Sequence, residues 1–321
     1  VVRSTTQEAP ARRRHEKYER LIAAAQARPR LAVAVAHPCD EASLGAALEA
    51  ADLGLIEPIL VGPRPRIAAA AGGRDLGALR IVEAAHSHDS AARAVALVNA
   101  GEAGALMKGS LHTDELMGAV VRREGGLRTA RRLSHCFVMD VPGHDDPLII
   151  TDAAINIAPT LEEKRDIVQN AIDLAHSFGV EVVRVAIVSA METVNPKVPS
   201  TVDAAALCKM ADRGQITGAV LDGPLALDNA IDLGAAAIKK IRSAVAGRAN
   251  VLVVPDLEAG NMLAKSLTFL ADADAAGIVL GARVPIILTS RADARLTRLA
   301  SCAVATLFAS GRRAASPLPE V

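Results

Sequence analysis

Four short stretches of this chain place small, polar or cationic residues where an apolar run gives way to a loop. Lys108-Gly109-Ser110 closes the run from Ala105 and precedes a helical segment beginning near Thr113. Asn156 and Pro159 come after the run ending at Thr151-Asp152. Pro255-Asp256-Leu257-Glu258-Ala259-Gly260-Asn261 follows Val251–Val254, and Thr289-Ser290-Arg291 follows Ile286–Leu288. In open α/β sheets ligands bind at the carboxyl ends of strands, where free amides at helix starts attract anions. The chemistry open to these stretches is therefore the binding of an anionic group such as a phosphate.

Each stretch also has a plain structural use. Ser290 is placed to cap a helix, with Asp293 three residues on. Lys108 could be a solvated strand end, and Asn156 and Asn261 could satisfy loop backbone. Arg291 is harder to explain that way, because a guanidinium at a helix amino terminus opposes the dipole. A nearby anion would account for it. Arg128, Arg131 and Arg132 cluster just before His135, either as a solvated face or as a surface for a ligand's phosphates. The eight histidines show no metal-binding spacing, and His86 and His88 read as surface residues.

Missing signatures narrow the chemistry. The chain has no GxGxxG after a strand, no GxxxxGK[ST], no HExxH and no GxSxG. Dinucleotide redox chemistry by the usual fingerprint, P-loop phosphoryl transfer, zincin hydrolysis and a serine-hydrolase elbow all lose support.

The elements that must position these residues follow from periodicity. Strands are expected at Leu31–Ala36, Pro58–Gly62, Ala105–Lys108, His135–Val141, Leu148–Thr151, Val182–Val188, Thr217–Leu221, Val251–Val254 and Ile286–Leu288. Helices fall between most of them, and a last one runs from about Asp293 to Ser310. The best-defined helix starts at Thr160. Glu163 completes a capping box there, and Leu161, Val168, Ala171, Ile172 and Ala175 form one apolar stripe. Near-continuous Val/Ile/Leu strands alternating with helices imply a parallel sheet covered on both faces.

At 321 residues the chain favours two domains. It carries 36 basic and 36 acidic residues, which argues against a general affinity for nucleic acid. One Tyr and no Trp make base-stacking platforms unlikely to be its business. Four cysteines lie far apart in or beside apolar stretches and read as small buried residues in a reducing compartment. No run is long enough to cross a membrane, and no signal-peptide core is seen, so a cytoplasmic location is expected.

Taken together, the residues resemble the phosphate acetyl/butyryltransferase family, from about Tyr18 to Ala309. The resemblance rests on Leu106-Met107-Lys108-Gly109, Thr151 to Pro159, Asn195-Pro196-Lys197-Val198-Pro199-Ser200-Thr201, Asp222 to Ala230, Pro255 to Asn261, and Thr289 to Asp293. It implies two α/β domains with parallel sheets flanked by helices, similar to the isocitrate/isopropylmalate dehydrogenase arrangement, with the active site in the interdomain cleft. Residues 1–151 and 289–321 would form the first domain, and 152–288 the second, inserted one. The resemblance further implies a homodimer acting on acyl-CoA and inorganic phosphate. No metal, nicotinamide or other cofactor is expected, since coenzyme A is a substrate.

In this resemblance Ser290 matches the family's serine at the oxyanion and Arg291 its substrate-binding arginine. Lys108, Gly109, Ser110, Ser134, Asn156, Asn261 and Lys265 complete the expected substrate-binding set. Two departures stand out. The acetyltransferases carry an acidic residue seven positions after the serine, where this chain has Thr297. They also carry an arginine in the helix after Asp-Leu-x-x-Gly-Asn, where this chain has Lys265. Both move the chain toward the butyryltransferase-like branch and leave the general base open, with Asp293 a candidate. Acetyl transfer is the first expectation and butyryl transfer the alternative, since a pocket separates one methylene by only about 1–3 kcal/mol. A different class is a metal- and NAD-dependent β-decarboxylating dehydrogenase or a non-catalytic coenzyme A-binding protein. The dehydrogenase would need an acidic metal cluster, and none is found in register.

Overall fold

A computed structural model describes residues 15–289 and 294–314. The chain runs through α1 (Glu16–Gln26), β1 (Leu31–Ala36), α2 (Glu41–Asp52), β2 (Ile56–Val61), α3 (Arg64–Ala70), β3 (Ile81–Val82), α4 (Ser87–Asn99), β4 (Ala105–Lys108) and α5 (Thr113–Val120). Next come β5 (Ser134–Asp140), β6 (Leu148–Thr151), α6 (Leu161–Ser177), β7 (Arg184–Val188), α7 (Pro199–Asp212), β8 (Val220–Leu225), α8 (Leu227–Ile231), α9 (Leu233–Ile238), β9 (Val251–Val253) and α10 (Leu257–Leu270). β10 (Asp274–Leu280), β11 (Ile286–Ile287) and α11 (Arg295–Ala314) follow.

These strands form one sheet in the order β3-β2-β1-β4-β11-β10-β5-β6-β9-β7-β8. The sheet is mostly parallel, as the alternation of strands and helices predicts, but its centre is not. β11–β10, β10–β5 and β5–β6 pair antiparallel. For β5–β6 and β10–β11 the cause is the length of the link. Residues 141–147 and 281–285 are too few for the crossover a parallel pair needs. The sequence reading also misses β10. Residues 277–288 are a mostly apolar run, and Gly281, at φ +88°, turns the chain back on itself within it.

The strand expected at 217–221 lies at Val220–Leu225 instead. It sits at the edge of the sheet, where a proline such as Pro224 is tolerated. Helix α6 forms as expected. The Thr160 hydroxyl accepts from the Glu163 amide at 3.3 Å, and the Glu163 carboxylate accepts from the Thr160 amide at 2.9 Å. Val168, Ala171, Ile172 and Ala175 are buried.

One face of the sheet is covered by a continuous apolar layer that draws on α1, α2, α6, α7 and α11. Within it, α1 is tied across the middle of the sheet. The Tyr18 hydroxyl donates to Val138 O at 2.7 Å and accepts from Ala276 N at 2.5 Å. Lys17 Nζ donates to Asp140 Oδ1 at 2.7 Å, with both side chains almost wholly enclosed. The other face is covered by two separate layers. One uses α4 and α5 over β1, β2 and β4. The second uses α8, α9 and α10 over β5, β6, β7 and β9. The region between those two layers holds the site.

Candidate active site

Side chains alternate along a strand, so Lys108 shares a sheet face with Leu106, Leu288 with Ile286, and Gly277 with Val279. Each lies two residues past the edge of the α4/α5 apolar layer. His135 and Phe137 lie on the same face across β5. There the helices part, and a cavity of about 660 Å3 opens. Lys108, Leu111, His112 and Thr113 line one side, and Ala264, Lys265, Thr268 and Phe269 of α10 line another. His135, Phe137, Asp274, Ala275 and Leu288 reach it from the strands, and Thr289, Ala294 and Thr297 line its remaining wall.

Of the predicted site residues, this cavity joins Lys108 and Lys265. Lys108 is 9% exposed, and its Nζ donates to Gly109 O at 3.4 Å. Gly109 and Ser110 lie behind that wall and fasten it. Gly109 N donates to Ala36 O at 2.9 Å, and the Ser110 amide and hydroxyl both donate to His37 O, at 2.9 and 2.8 Å. A Cβ on Gly109 would stand 2.3 Å from Ala36 O, so the exits of β4 and β1 cross this closely only with glycine.

Ser134, Asn156 and Asn261 sit away from the cavity lining. Ser134 is fully buried and accepts from Asn170 Nδ2 at 2.9 Å. Asn156 donates to Asp152 Oδ2 at 2.6 Å and Leu133 O at 2.8 Å, and accepts from Arg132 Nε at 2.7 Å. Asn261 donates to Ala153 O at 3.3 Å, beside Gly260, whose absent Cβ would meet Asp152 O at 2.8 Å. The Asp152–Asn156 and Asp256–Asn261 stretches thus pack on each other and hold α10 against β6. Ser290, Arg291 and Asp293 lie outside the described residues. Their neighbours Thr289 and Ala294 both line the cavity, as does Thr297 at the position seven beyond the serine.

Two of the three clustered arginines are engaged elsewhere. Arg131 pairs with Asp173, and Arg132 with Glu163 at 3.1 Å, so both serve the docking of α6. His88 is exposed beside Glu115, and His86 Nδ1 accepts from Asp89 N at 3.2 Å at the start of α4. A larger depression of about 1130 Å3 lies between α2 and the start of α11. None of the predicted site residues lines it, and its charges are partly matched, as in the pair Arg295–Glu49.

The model of the family described as phosphate acetyl/butaryl transferase matches residues 79–306. The chain belongs to that family. It is 67% identical over 301 residues to a phosphate acetyltransferase of Rhizobium meliloti, covering 93% of this chain and 95% of that protein. It is 45% identical to a probable phosphate butyryltransferase of Bacillus subtilis, over 90% of this chain and 97% of that one. Among solved structures it is similar to a branched-chain phosphotransacylase from Enterococcus faecalis V583. There the TM-score is 0.76 at 30% identity, covering 87% of this chain and 99% of that one.

Within this family member, sequence reasoning misses His135. A lone histidine inside a strand carries no spacing signal. Its side chain is enclosed, its Nδ1 has no hydrogen-bond partner, and burial drives its pKa down to about 4, against a smaller upward pull from Asp152. The ring is therefore neutral near pH 7. Burial also pushes the thiols of Cys136, Cys208 and Cys302 up to about 12, so none of them is a thiolate nucleophile. Among the described residues, no group of three or more His, Cys, Asp or Glu is placed to hold a metal ion.

His135 makes stability depend on acid. Unfolded, the ring titrates near 6.5 and binds a proton that the folded chain refuses until about pH 4. Stability is thus full above pH 6.5 and falls as pH drops toward 4. Urea unfolding at pH 7 and pH 5 should show wild type losing about 2 kcal/mol more than His135→Leu. Equal losses in the two proteins would show that the ring titrates normally in the folded chain.

Proposed function

We propose that this chain is a phosphate acetyltransferase, moving an acetyl group reversibly between coenzyme A and inorganic phosphate. The observation that carries the reading is the 67% identity, over nearly the full length of both chains, to a protein of that name. The cavity supports it, with two lysine side chains on walls that mix apolar residues such as Leu111, Phe137 and Leu288 with polar ones such as Thr113, Thr268 and Asp274. Such a site suits a ligand with an anionic end and a small acyl end.

In this reading both substrates occupy the cavity together, and positioning supplies much of the rate. The coenzyme A sulfur attacks the carbonyl carbon of acetyl phosphate, and the tetrahedral oxyanion collapses with loss of phosphate. Lys108, Lys265 and Arg291 would bind the anionic groups, and Ser290 would donate to the oxyanion. Gly109, Ser110, Ser134, Asn156 and Asn261 would shape the walls. Asp293 remains the candidate base, with Thr297 in the place of an acid. No further cofactor enters the scheme.

Butyryl transfer is the second reading. The 45% identity to a probable phosphate butyryltransferase favours it, together with Thr297 and Lys265. The test is the loss of thioester from acetyl-CoA and butyryl-CoA, with and without phosphate or arsenate. Consumption is expected only with the anion present and without added metal or nicotinamide. Thioester loss independent of phosphate would mark a hydrolase and end the proposal.

A two-domain arrangement related to the isocitrate/isopropylmalate dehydrogenases, with the cavity as interdomain cleft, belongs to the same reading. Its support is that the chain leaves the β1–β4 half of the sheet after β4 and returns at β11. A cytoplasmic, homodimeric enzyme is also part of the proposal, with no nucleic acid or membrane partner. Among the described residues no helix is long and apolar enough to cross a membrane. Met262, Phe269 and Leu270 are mostly exposed and give α10 an apolar outer face suited to a second copy, with Ile157 exposed on a neighbouring loop. Light scattering at micromolar concentration should give twice the 33.2 kDa chain mass. A monomer mass there would remove the dimer from the scheme.

A further inference from the structure

We propose that the His135 imidazole is a catalytic hydrogen-bond donor, meeting the carbonyl oxygen of the acyl group during transfer. The inference rests on the phosphate acyltransferase reading and deepens it. Three observations converge on this ring. It lines the cavity while being only 2% exposed, and its Nδ1 is shut from solvent with no partner. Buried polar side-chain atoms are nearly always satisfied, so a ring nitrogen without a partner in the wall of a cavity is an exception.

The ring is also held in place. Phe137 meets it edge-on, with centroids 4.4 Å apart and planes at 73°. Its Nε2 lies 3.0 Å from where a Cβ on Gly277 would stand. The neighbouring strand therefore gives up a side chain at the spot where the ring meets the cavity. A third feature is charge. Lys108, Lys265 and Asp274 line the same space, and burial of the ring outweighs the upward pull of Asp152, which leaves the imidazole neutral. A neutral imidazole keeps one N–H, and that N–H is a donor suited to a carbonyl that gains negative charge.

The step balances without a proton leaving His135. The coenzyme A thiol gives up its proton, which ends on the departing phosphate; the sulfur forms a bond to the carbonyl carbon, and the C=O π pair moves onto oxygen, where the ring N–H bond to it strengthens. The pair then returns, and the C–O bond to phosphate breaks. The ring ends as it began, and it works equally in the reverse direction.

His135→Leu fills nearly the same space without a donor. Its kcat should fall about 10²-fold, with Michaelis constants for acyl-CoA and phosphate within about threefold of wild type. Its urea midpoint at pH 7 should hold or rise, because an unsatisfied buried nitrogen has gone. His135→Gln restores an N–H and should recover kcat to within about tenfold of wild type. Acyl-CoA added to wild type labelled with 15N-histidine should move the His135 ring resonances. A His135→Leu protein with unchanged kcat, or with a loss matched by its unfolded fraction, would overturn the proposal. So would ring resonances unmoved by saturating acyl-CoA. Wild type lacking phosphate-dependent turnover would sink the acyltransferase reading instead, and the resonance titration would still decide whether His135 meets an acyl-CoA.

Discussion

Ser290→Ala is expected to lower kcat by about 10²–10³-fold, with the folded population intact. The competing reading is a helix cap, and the two differ in what is lost. Removing a cap costs about 0.5–2 kcal/mol of stability and leaves turnover per folded molecule unchanged. Removing an oxyanion donor leaves stability near wild type and raises the barrier by about 3–4 kcal/mol. Turnover corrected for the folded fraction separates them. Arg291→Lys is the companion measurement. Lysine keeps the charge but loses the planar fork, so the phosphate Michaelis constant should rise. Normal turnover in Ser290→Ala beside normal phosphate dependence in Arg291→Lys would move the chemistry toward Lys108 and Lys265.

The second large effect belongs to stability. Asp140→Ala should cost about 3–5 kcal/mol, because it strands the Lys17 ammonium in a place closed to water. Lys17 is 7% exposed, and among the described residues its other hydrogen bond is to Val141 O at 3.0 Å. The carboxylate also accepts from Tyr18 N at 3.3 Å, so the same change loosens the backbone of α1. Lys17→Met should cost a similar amount by leaving the carboxylate unmatched. The double variant Lys17→Met/Asp140→Leu should recover much of the loss, since replacing a buried pair with apolar groups is often neutral. A urea midpoint unchanged in either single variant, at constant m-value, would show that water reaches the pair.

What could be read ahead of the structure follows the range of each signal. α6 is legible from Thr160, Glu163 and its stripe because a capping box and a helical repeat are both local. Lys108 and Lys265 are legible as site residues from their motifs, and they do share a cavity. Asn156 carries the same motif signal, yet its side chain is consumed by Asp152, Leu133 and Arg132. A motif marks that a residue is needed and does not say whether a ligand or the fold needs it. β10 escapes notice because only Gly281, Arg283 and Pro285 interrupt an otherwise apolar run. His135 escapes because its meaning depends on Phe137, Gly277 and the gap between two helical layers, which are brought together only by the sheet.

The order of strands also sets a schedule for synthesis. β4 pairs with β1 early, but its other neighbour, β11, is made roughly 180 residues later, or about 10–40 s at ~5–20 residues per second. Until then one edge of the first half stays open, and a growing chain must keep it from pairing with a stranger. A chain cut short before residue 286 never closes that seam. Such fragments should gather in the insoluble fraction of an expressing cell, whatever the quality of their individual helices.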